Sequence, residues 1–323
     1  MKKIAVFTSG GDAPGMNAAL RAVVRSAIYN GLEVVGIMDG LDGMIDGDYI
    51  QMPADSVSNI IQRGGTILKT SRSPRFRTPD GMKSAADQLK KYSIEGMIAL
   101  GGDGTFRAAE DFHQYCSIPC MGVPCTIDND LAGTDYTIGF DTAINTVVEA
   151  VDKIRDTAVS HNRLFFVEVM GRDSGQIALM SSIASGAEAV LIPESITDVE
   201  HLFNILEKGW NRKKSSYIII VAEGDEAGGA VAIANKVKTQ FDNYDTRVTV
   251  LGHIQRGGNP SCMDRVNATR LGVAALEALL SGHKQEMVGI VNNQITYTPF
   301  KNAVKQHPSI DPSLLKLTTI LSA

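Results

Sequence analysis

Short β-branched apolar runs alternate along this chain with longer segments in which apolar residues recur every three to four positions. Parallel strands need crossover connections of a dozen or more residues, usually helices, so the alternation predicts βαβ units. Strands are expected at 4–8, 33–37, 96–100 and 120–123, then at 164–170, 189–192, 217–222, 246–251 and 287–291. Helices are expected at 16–29, 84–91, 143–159, 176–184, 199–210, 230–240 and 264–280. The pattern specifies an α/β chain with mostly parallel sheets.

At about 150 residues per domain, 323 residues correspond to two domains or one large α/β unit. The apolar fraction, 44%, excludes disorder. Thirty-one basic against 36 acidic residues leave a net charge of −5, which argues against a general nucleic-acid or anionic-membrane surface. Local basic clusters then call for small anions. No apolar run approaches the roughly 20 residues that span a bilayer. The opening Met1-Lys2-Lys3 is followed by too short an apolar run for a signal-peptide core. A cytoplasmic protein is the expectation. Cys116, Cys120 and Cys125, with His113 nearby, lack the CxxC spacing of zinc sites and flank an apolar stretch, so buried reduced thiols are expected.

Three loops carry the chemistry. Thr8-Ser9-Gly10-Gly11-Asp12-Ala13-Pro14-Gly15 links a strand to a helix, where glycines let backbone N–H groups approach a phosphate. A tight structural turn accounts for it equally well, since the Walker A lysine and the GxGxxG fingerprint are both missing. Gly101-Gly102-Asp103-Gly104-Thr105 repeats the plan at another strand end. A carboxylate inside such a loop suits phosphate only with a divalent cation between them, which makes Asp103 a Mg²⁺ candidate. Thr126-Ile127-Asp128-Asn129-Asp130 spaces two carboxylates i, i+2, which suits either a metal pair or a general base with a partner, against a background of ordinary turn chemistry.

Arginines form the fourth group. Arg72, Arg75 and Arg77 crowd a loop broken by Pro74 and Pro79, while Arg163, Arg172, Arg247 and Arg256 fall near predicted strand ends. Ligands of open α/β sheets bind at strand ends, and the guanidinium fork suits phosphate oxygens. Arg21 and Arg25, spaced i, i+4 on the first helix, are either an exposed face or an anion site. The residues alone read as an α/β phosphotransferase with two phosphate-bearing ligands, Mg²⁺ at Asp103 and a base at Asp128.

In order along the chain stand the Gly10-Gly11-Asp12 loop, Gly101-Gly102-Asp103-Gly104, Thr126-Ile127-Asp128-Asn129-Asp130, Met170-Gly171-Arg172 and Gly252-His253-Ile254-Gln255-Arg256-Gly257-Gly258. With these five motifs the sequence resembles the bacterial 6-phosphofructokinases of upper glycolysis, from about residue 3 to 291. The resemblance implies two Rossmann-like three-layer α/β/α domains. An ATP/Mg²⁺ domain would span 1–138 and 252–302, and a fructose 6-phosphate domain 139–251 and 303–323.

It implies transfer of the γ-phosphoryl of ATP to the 1-hydroxyl of fructose 6-phosphate. Gly11, Arg72, Ser73, Gly102, Asp103, Gly104 and Thr105 would line the ATP site, with Asp103 at Mg²⁺. Thr126, Ile127 and Asp128 would hold the sugar, Asp128 as base, while Arg172 and Thr126 stabilise the transferring group. Met170, Gly171, Arg172, Glu223, His253, Ile254, Gln255 and Arg256 would complete the sugar-phosphate site. Arg163 and Arg247 would reach in from a neighbouring subunit, which implies a homotetramer with shared active sites.

An effector site for ADP or phosphoenolpyruvate would use Arg21, Arg25, Arg155, Gly186, Glu188, Arg212 and Lys214. Ala54, Asp55, Ser215 and Ser216 depart from that pattern and remove cationic contacts, so weak or altered allostery is expected. Near the donor, Ser73 replaces a bulkier residue. Cys125 stands where ATP enzymes carry glycine and pyrophosphate-dependent relatives carry lysine. Those relatives also carry an aspartate where this chain has Gly104, which favours ATP over pyrophosphate. A sugar-phosphate-binding regulator without activity is the non-enzyme alternative; it would be expected to lose Asp103, Asp128 or Arg172, and all three are present.

Overall fold

A computed structural model describes residues 1–161, 163–196, 199–211, 216–241, 244–304 and 310–321. The chain folds as two units, Met1–Thr142 with Arg256–Gln306, and Ala143–Gln255 with His307–Ala323. The breaks fall at 142, 256 and 306, against 138, 252 and 302 in the sequence reading. The shift at 142 has a local cause: Asp264 of the first unit holds Gly139 and Thr142, so the first turn of the following helix stays with that unit.

The first unit contains a sheet built from β1 (Lys3–Thr8), β2 (Glu33–Ile37), β3 (Tyr49–Gln51), β4 (Gly96–Gly101), β5 (Cys120–Pro124), β10 (Glu286–Val291) and β11 (Gln294–Pro299). Their order is β11-β10-β5-β4-β1-β2-β3, parallel throughout except for the two edge pairs. Alternate side chains of a strand face opposite sides. Ala5 and Phe7 of β1 therefore join α2 (Gly40–Asp46), α3 (Pro79–Lys91) and α4 (Asp103–Phe112) in one buried cluster. Ile4 and Val6 are buried on the other face, covered by α1 (Met16–Tyr29) and α9 (Cys262–Leu280), which pack on each other.

In the second unit β6 (Arg163–Val169), β7 (Ala189–Leu191), β8 (Tyr217–Ala222) and β9 (Asp245–Val250) form an all-parallel sheet in the order β7-β8-β6-β9. Leu164, Phe166, Ile219 and Val221 pack with Leu202 and Leu206 of α7 (Val199–Asn211) and with Ile233 and Val237 of α8 (Gly229–Gln240). The opposite face carries α6 (Gln176–Ser185), on which α10 (Pro312–Leu321) packs. α5 (Phe140–His161) begins in the first unit and continues into the second. Among the described residues no helix is long and apolar enough to cross a membrane.

All the strands and helices expected from periodicity are present, with ends shifted by a few residues. The periodic reading does not include α2, β3, α4, β11 and α10. The signal for β11 was chemical: Asn292 (φ 48°) and Asn293 (φ 63°) both adopt left-handed backbone, the geometry of a two-residue hairpin turn. Helix α3 begins earlier than its apolar pattern because Pro79 occupies its first turn and Thr78 Oγ1 accepts the Gly81 N–H.

Candidate functional site

Adjacent parallel strands put their carboxyl ends on one edge. β5, β4 and β1 are neighbours, in register at Gly101↔Pro124 and Thr8↔Leu100. The three loops singled out above leave that edge side by side, joined by Ser9 N–H donating to Leu100 O (3.0 Å) and Cys125 N–H to Gly101 O (2.9 Å). Gly101 has to be glycine here. A Cβ on it would lie 2.3 Å from Thr105 Oγ1 and 2.7 Å from the backbone oxygen of Ser9.

Asp103 opens α4 behind Gly102, and no side chain caps the N–H groups of that helix. A Cβ on Gly104 would meet nothing within 4 Å, and the buried Thr105 Oγ1 has no hydrogen-bond partner. An uncapped helix N-terminus flanked by open space fits a phosphate group. Asp103 accepts from Arg107 Nε at 2.8 Å. Among the described residues no cluster of three or more His, Cys, Asp or Glu could hold a metal by itself.

Thr126 stands next to this loop, 3.5 Å from where a Cβ of Gly102 would lie. Its Oγ1 accepts the Asp128 N–H (3.2 Å), which closes the turn and fixes the direction of the Asp128 backbone. The Asp128 side chain is buried at 4% exposure. Ile127, expected at the sugar, is fully buried. Cys125 is buried too, and desolvation, then the charge of Asp264, push its thiol well above the usual range. At this point the site carries a neutral thiol and no cation.

The 66–73 loop is strung over the end of β1 by Thr8 Oγ1 donating to Lys69 O (2.5 Å) and Thr70 Oγ1 to Gly10 O (2.9 Å). This leaves the Arg72 side chain exposed beside the glycine loop. Ser73, expected at the nucleotide, instead has its hydroxyl donating to Asp42 Oδ1 while accepting the Phe76 N–H. Arg75 forms a fork on Asp46, and the guanidinium holds that carboxyl below its usual range. Arg256, expected among the sugar-phosphate ligands, is 9% exposed; its Nη1 donates to Asp12 O (3.0 Å) and sits over Gly11.

In the second unit Met170, Gly171, Arg172, Glu223, His253 and Ile254 gather at the carboxyl ends of β6, β8 and β9. Glu223 Oε1 accepts the N–H groups of Gly171 (3.3 Å) and Arg172 (2.9 Å). Gln255 is fully buried, its Oε1 accepting the Met170 N–H and its Nε2 donating to Gly252 O. It braces the site and offers no side-chain atom to a ligand.

Arg163 and Arg247 do not join this cluster. They lie at the amino ends of β6 and β9, both bonded to Asp245 at 2.8 Å. The strand between Arg163 and Met170 covers roughly 20 Å at ~3.3 Å per residue. Arg163 precedes its strand and Arg247 opens its strand in the sequence, and within one chain they occupy the opposite sheet edge from Arg172.

Of the effector set, Arg155 donates to Ser185 O (2.8 Å) and Gly186 O (3.1 Å) and lies 3.7 Å from the buried Glu188. Arg21 and Arg25 project from α1 in the first unit, Arg25 reaching Ser58 Oγ (3.4 Å). Arg212, Lys214 and Ser215 lie outside the described residues. Sequence reasoning gave no role to Asn17, Thr137 and Asp264, buried groups that bind backbone around the site, nor to Asp245, half-buried, which binds both arginines at the far sheet edge. Only Asp264 had a readable signal, the Ser261-x-x-Asp264 capping pattern.

The profile of the family described as Phosphofructokinase matches residues 3–279. The chain is 53% identical over 322 residues to the ATP-dependent 6-phosphofructokinase of Cytophaga hutchinsonii, covering 100% of this chain and 98% of that one. It is 52% identical to ATP-dependent 6-phosphofructokinase 1 of Thermus thermophilus, covering all of both. The solved phosphofructokinase of Saccharomyces cerevisiae superposes with a TM-score of 0.89 at 36% identity over the whole of this chain, which spans 48% of the yeast chain.

Proposed function

We propose, because the chain belongs to the phosphofructokinase family, that it transfers the γ-phosphoryl of ATP to the 1-hydroxyl of fructose 6-phosphate, as a glycolytic kinase. The observation that carries the reading is the edge shared by β1, β4 and β5. It sets two glycine loops, Asp103 and the Thr126–Asp128 turn next to one another. Phosphoryl transfer asks little covalent chemistry of a protein and depends on positioning and charge neutralisation.

In this reading Gly11, Arg72 and the N-terminus of α4 bind the donor phosphates. Asp103 would hold Mg²⁺, which when bound neutralises charge on those phosphates. Met170, Gly171, Glu223 and His253 orient the sugar phosphate. Asp128 takes the proton of the 1-hydroxyl as that oxygen bonds to the γ-phosphorus and the bond to the β-bridging oxygen breaks. Arg172 and Thr126 stabilise the charge on the phosphoryl oxygens during transfer, and ADP leaves.

Arg163 and Arg247 sit at the far edge of their own sheet, which supports their service to another copy in a homotetramer. A glycolytic role places the enzyme in the cytoplasm. Gly104, with open space beside it, admits the nucleotide. Assays with fructose 6-phosphate and either ATP/Mg²⁺ or pyrophosphate/Mg²⁺ test the donor. Turnover is expected with ATP, and turnover with pyrophosphate alone overturns the reading.

Arg155, Gly186 and Glu188 are assembled at the end of α6, as an ADP or phosphoenolpyruvate site requires. The neutral or acidic residues at 54, 55, 215 and 216 weaken the attraction of anions. Saturation curves for fructose 6-phosphate should therefore change little on adding ADP. Strong activation of a sigmoidal curve would refute this.

A further inference from the structure

Asp264 lies outside every motif used so far, yet it is 2% exposed and its carboxylate binds three donors. Oδ1 accepts the Gly139 N–H (2.8 Å), and Oδ2 accepts both the Thr142 N–H (2.8 Å) and the Thr142 hydroxyl. A capping bond from its own N–H to Ser261 Oγ (3.1 Å) fixes it in the first turn of α9. Ser261 adds a bond to Asp141 and another, through its N–H, to Thr142 Oγ1. Burial raises the proton affinity of Asp264, and the bonds from Thr142 and Gly139 oppose that rise.

The segment it grips runs alongside the base loop. Ile138 N–H donates to Pro124 O (2.9 Å), and Ile138 bridges Cys125. Thr137 Oγ1 donates to Thr126 O (2.6 Å), while Thr137 N–H donates to Asn129 Oδ1 (2.8 Å). Residues on both sides of Asp128 are thus tied to 137–138, and 139 and 142 are tied to Asp264. The same segment touches the first glycine loop. Gly139, at φ +105°, sits where a Cβ would come within 2.7 Å of Ala13 Cβ, and a Cβ on Gly15 would come within 2.6 Å of Ile138.

We infer that Asp264 is a positioning residue for phosphoryl transfer: through Gly139, Ile138 and Thr137 it sets the turn that carries Thr126 and Asp128 against the Gly10–Gly15 loop. The inference rests on the reading of Asp128 as the base. A buried carboxylate with three donors is far stiffer than a water-exposed loop. Its loss lets the turn drift without removing any group that touches a substrate.

The test is steady-state kinetics with ATP/Mg²⁺ and fructose 6-phosphate on full-length Asp264→Asn, Thr137→Val and Asp128→Ser, and on each of the first two combined with Asp128→Ser. An amide keeps the shape of Asp264 but cannot accept at both ends. Asp264→Asn is expected to lower kcat ~10- to 100-fold with both KM values within ~3-fold of wild type, and Thr137→Val to lower it ~10-fold. In the Asp128→Ser background both losses should shrink to about threefold or less, because a misplaced base costs nothing once the base is gone and only the drift of Thr126 remains. Losses that persist undiminished in that background indicate general structural damage and overturn the inference, as does unchanged kcat in both single variants. If Asp264→Asn does not fold, Thr137→Val decides by the same criteria. Wild-type turnover in Asp128→Ser would instead sink the reading of Asp128 itself.

Discussion

Asp128→Ser is expected to cut kcat by ~10² to 10⁴-fold, the usual contribution of a positioned general base, with little change in either KM. Three features of the turn support so large an effect. The carboxylate is buried, its backbone is oriented by the bond from its N–H to Thr126 Oγ1, and both flanks are latched to Thr137. Serine keeps a small polar side chain at the position but cannot take up a proton at neutral pH. ATP and sugar-phosphate contacts made by other residues remain, so binding persists while the chemical step slows. Kinetics varying each substrate separately will show this. A kcat within about threefold of wild type would remove Asp128 from the mechanism.

Arg172 is the second residue whose replacement should be severe. Its backbone is left-handed (φ 53°), behind Gly171 at φ 143°. The loop is fixed by Glu223 accepting both N–H groups and by the Ser174 N–H donating to Gly171 O (2.9 Å). Gly224 closes the other side, since a Cβ there would lie 1.8 Å from Arg172 O. A rigid mount under an exposed guanidinium suits a group that must meet charge developing on a transferring phosphoryl. Arg172→Gln should lower kcat ~10² to 10³-fold, the scale for losing one preorganised charge-stabilising donor. Arg172→Lys should fall between, because ammonium keeps the charge but not the planar fork. Exposed substitutions usually change stability by only about 0.5 kcal/mol, so thermal unfolding should barely move. Turnover of Arg172→Gln close to wild type would show that charge on the phosphoryl is met elsewhere.

Most strands and helices were legible because each buries a face, and burial imposes a period on the residues that provide it. Elements whose formation depends on particular turns were not: α2 starts at a left-handed Asp39, and β11 exists through the Asn292-Asn293 turn. The glycine loops and the Thr126–Asp128 turn stood out in composition, since close backbone approach demands glycine and turns favour Asp and Asn. Side-chain commitments were not. Ser73 looked like a nucleotide contact and is bonded to Asp42, Gln255 looked like a sugar ligand and is wholly buried, and Arg256 is held on Asp12 O.

The sequence by itself determined a parallel α/β chain, its glycine loops, and the carboxylates and arginines proposed for a phosphoryl transfer, because those properties are local in residue type and spacing. Only the tertiary structure decided which of them meet. Asp245 holds Arg163 and Arg247 together at the edge opposite Arg172. Asp264, more than 120 residues from Gly139 and Thr142, holds the segment bonded to the Thr126–Asn129 turn. Contacts of that separation depend on how strands order and helices pack, and no local period encodes them.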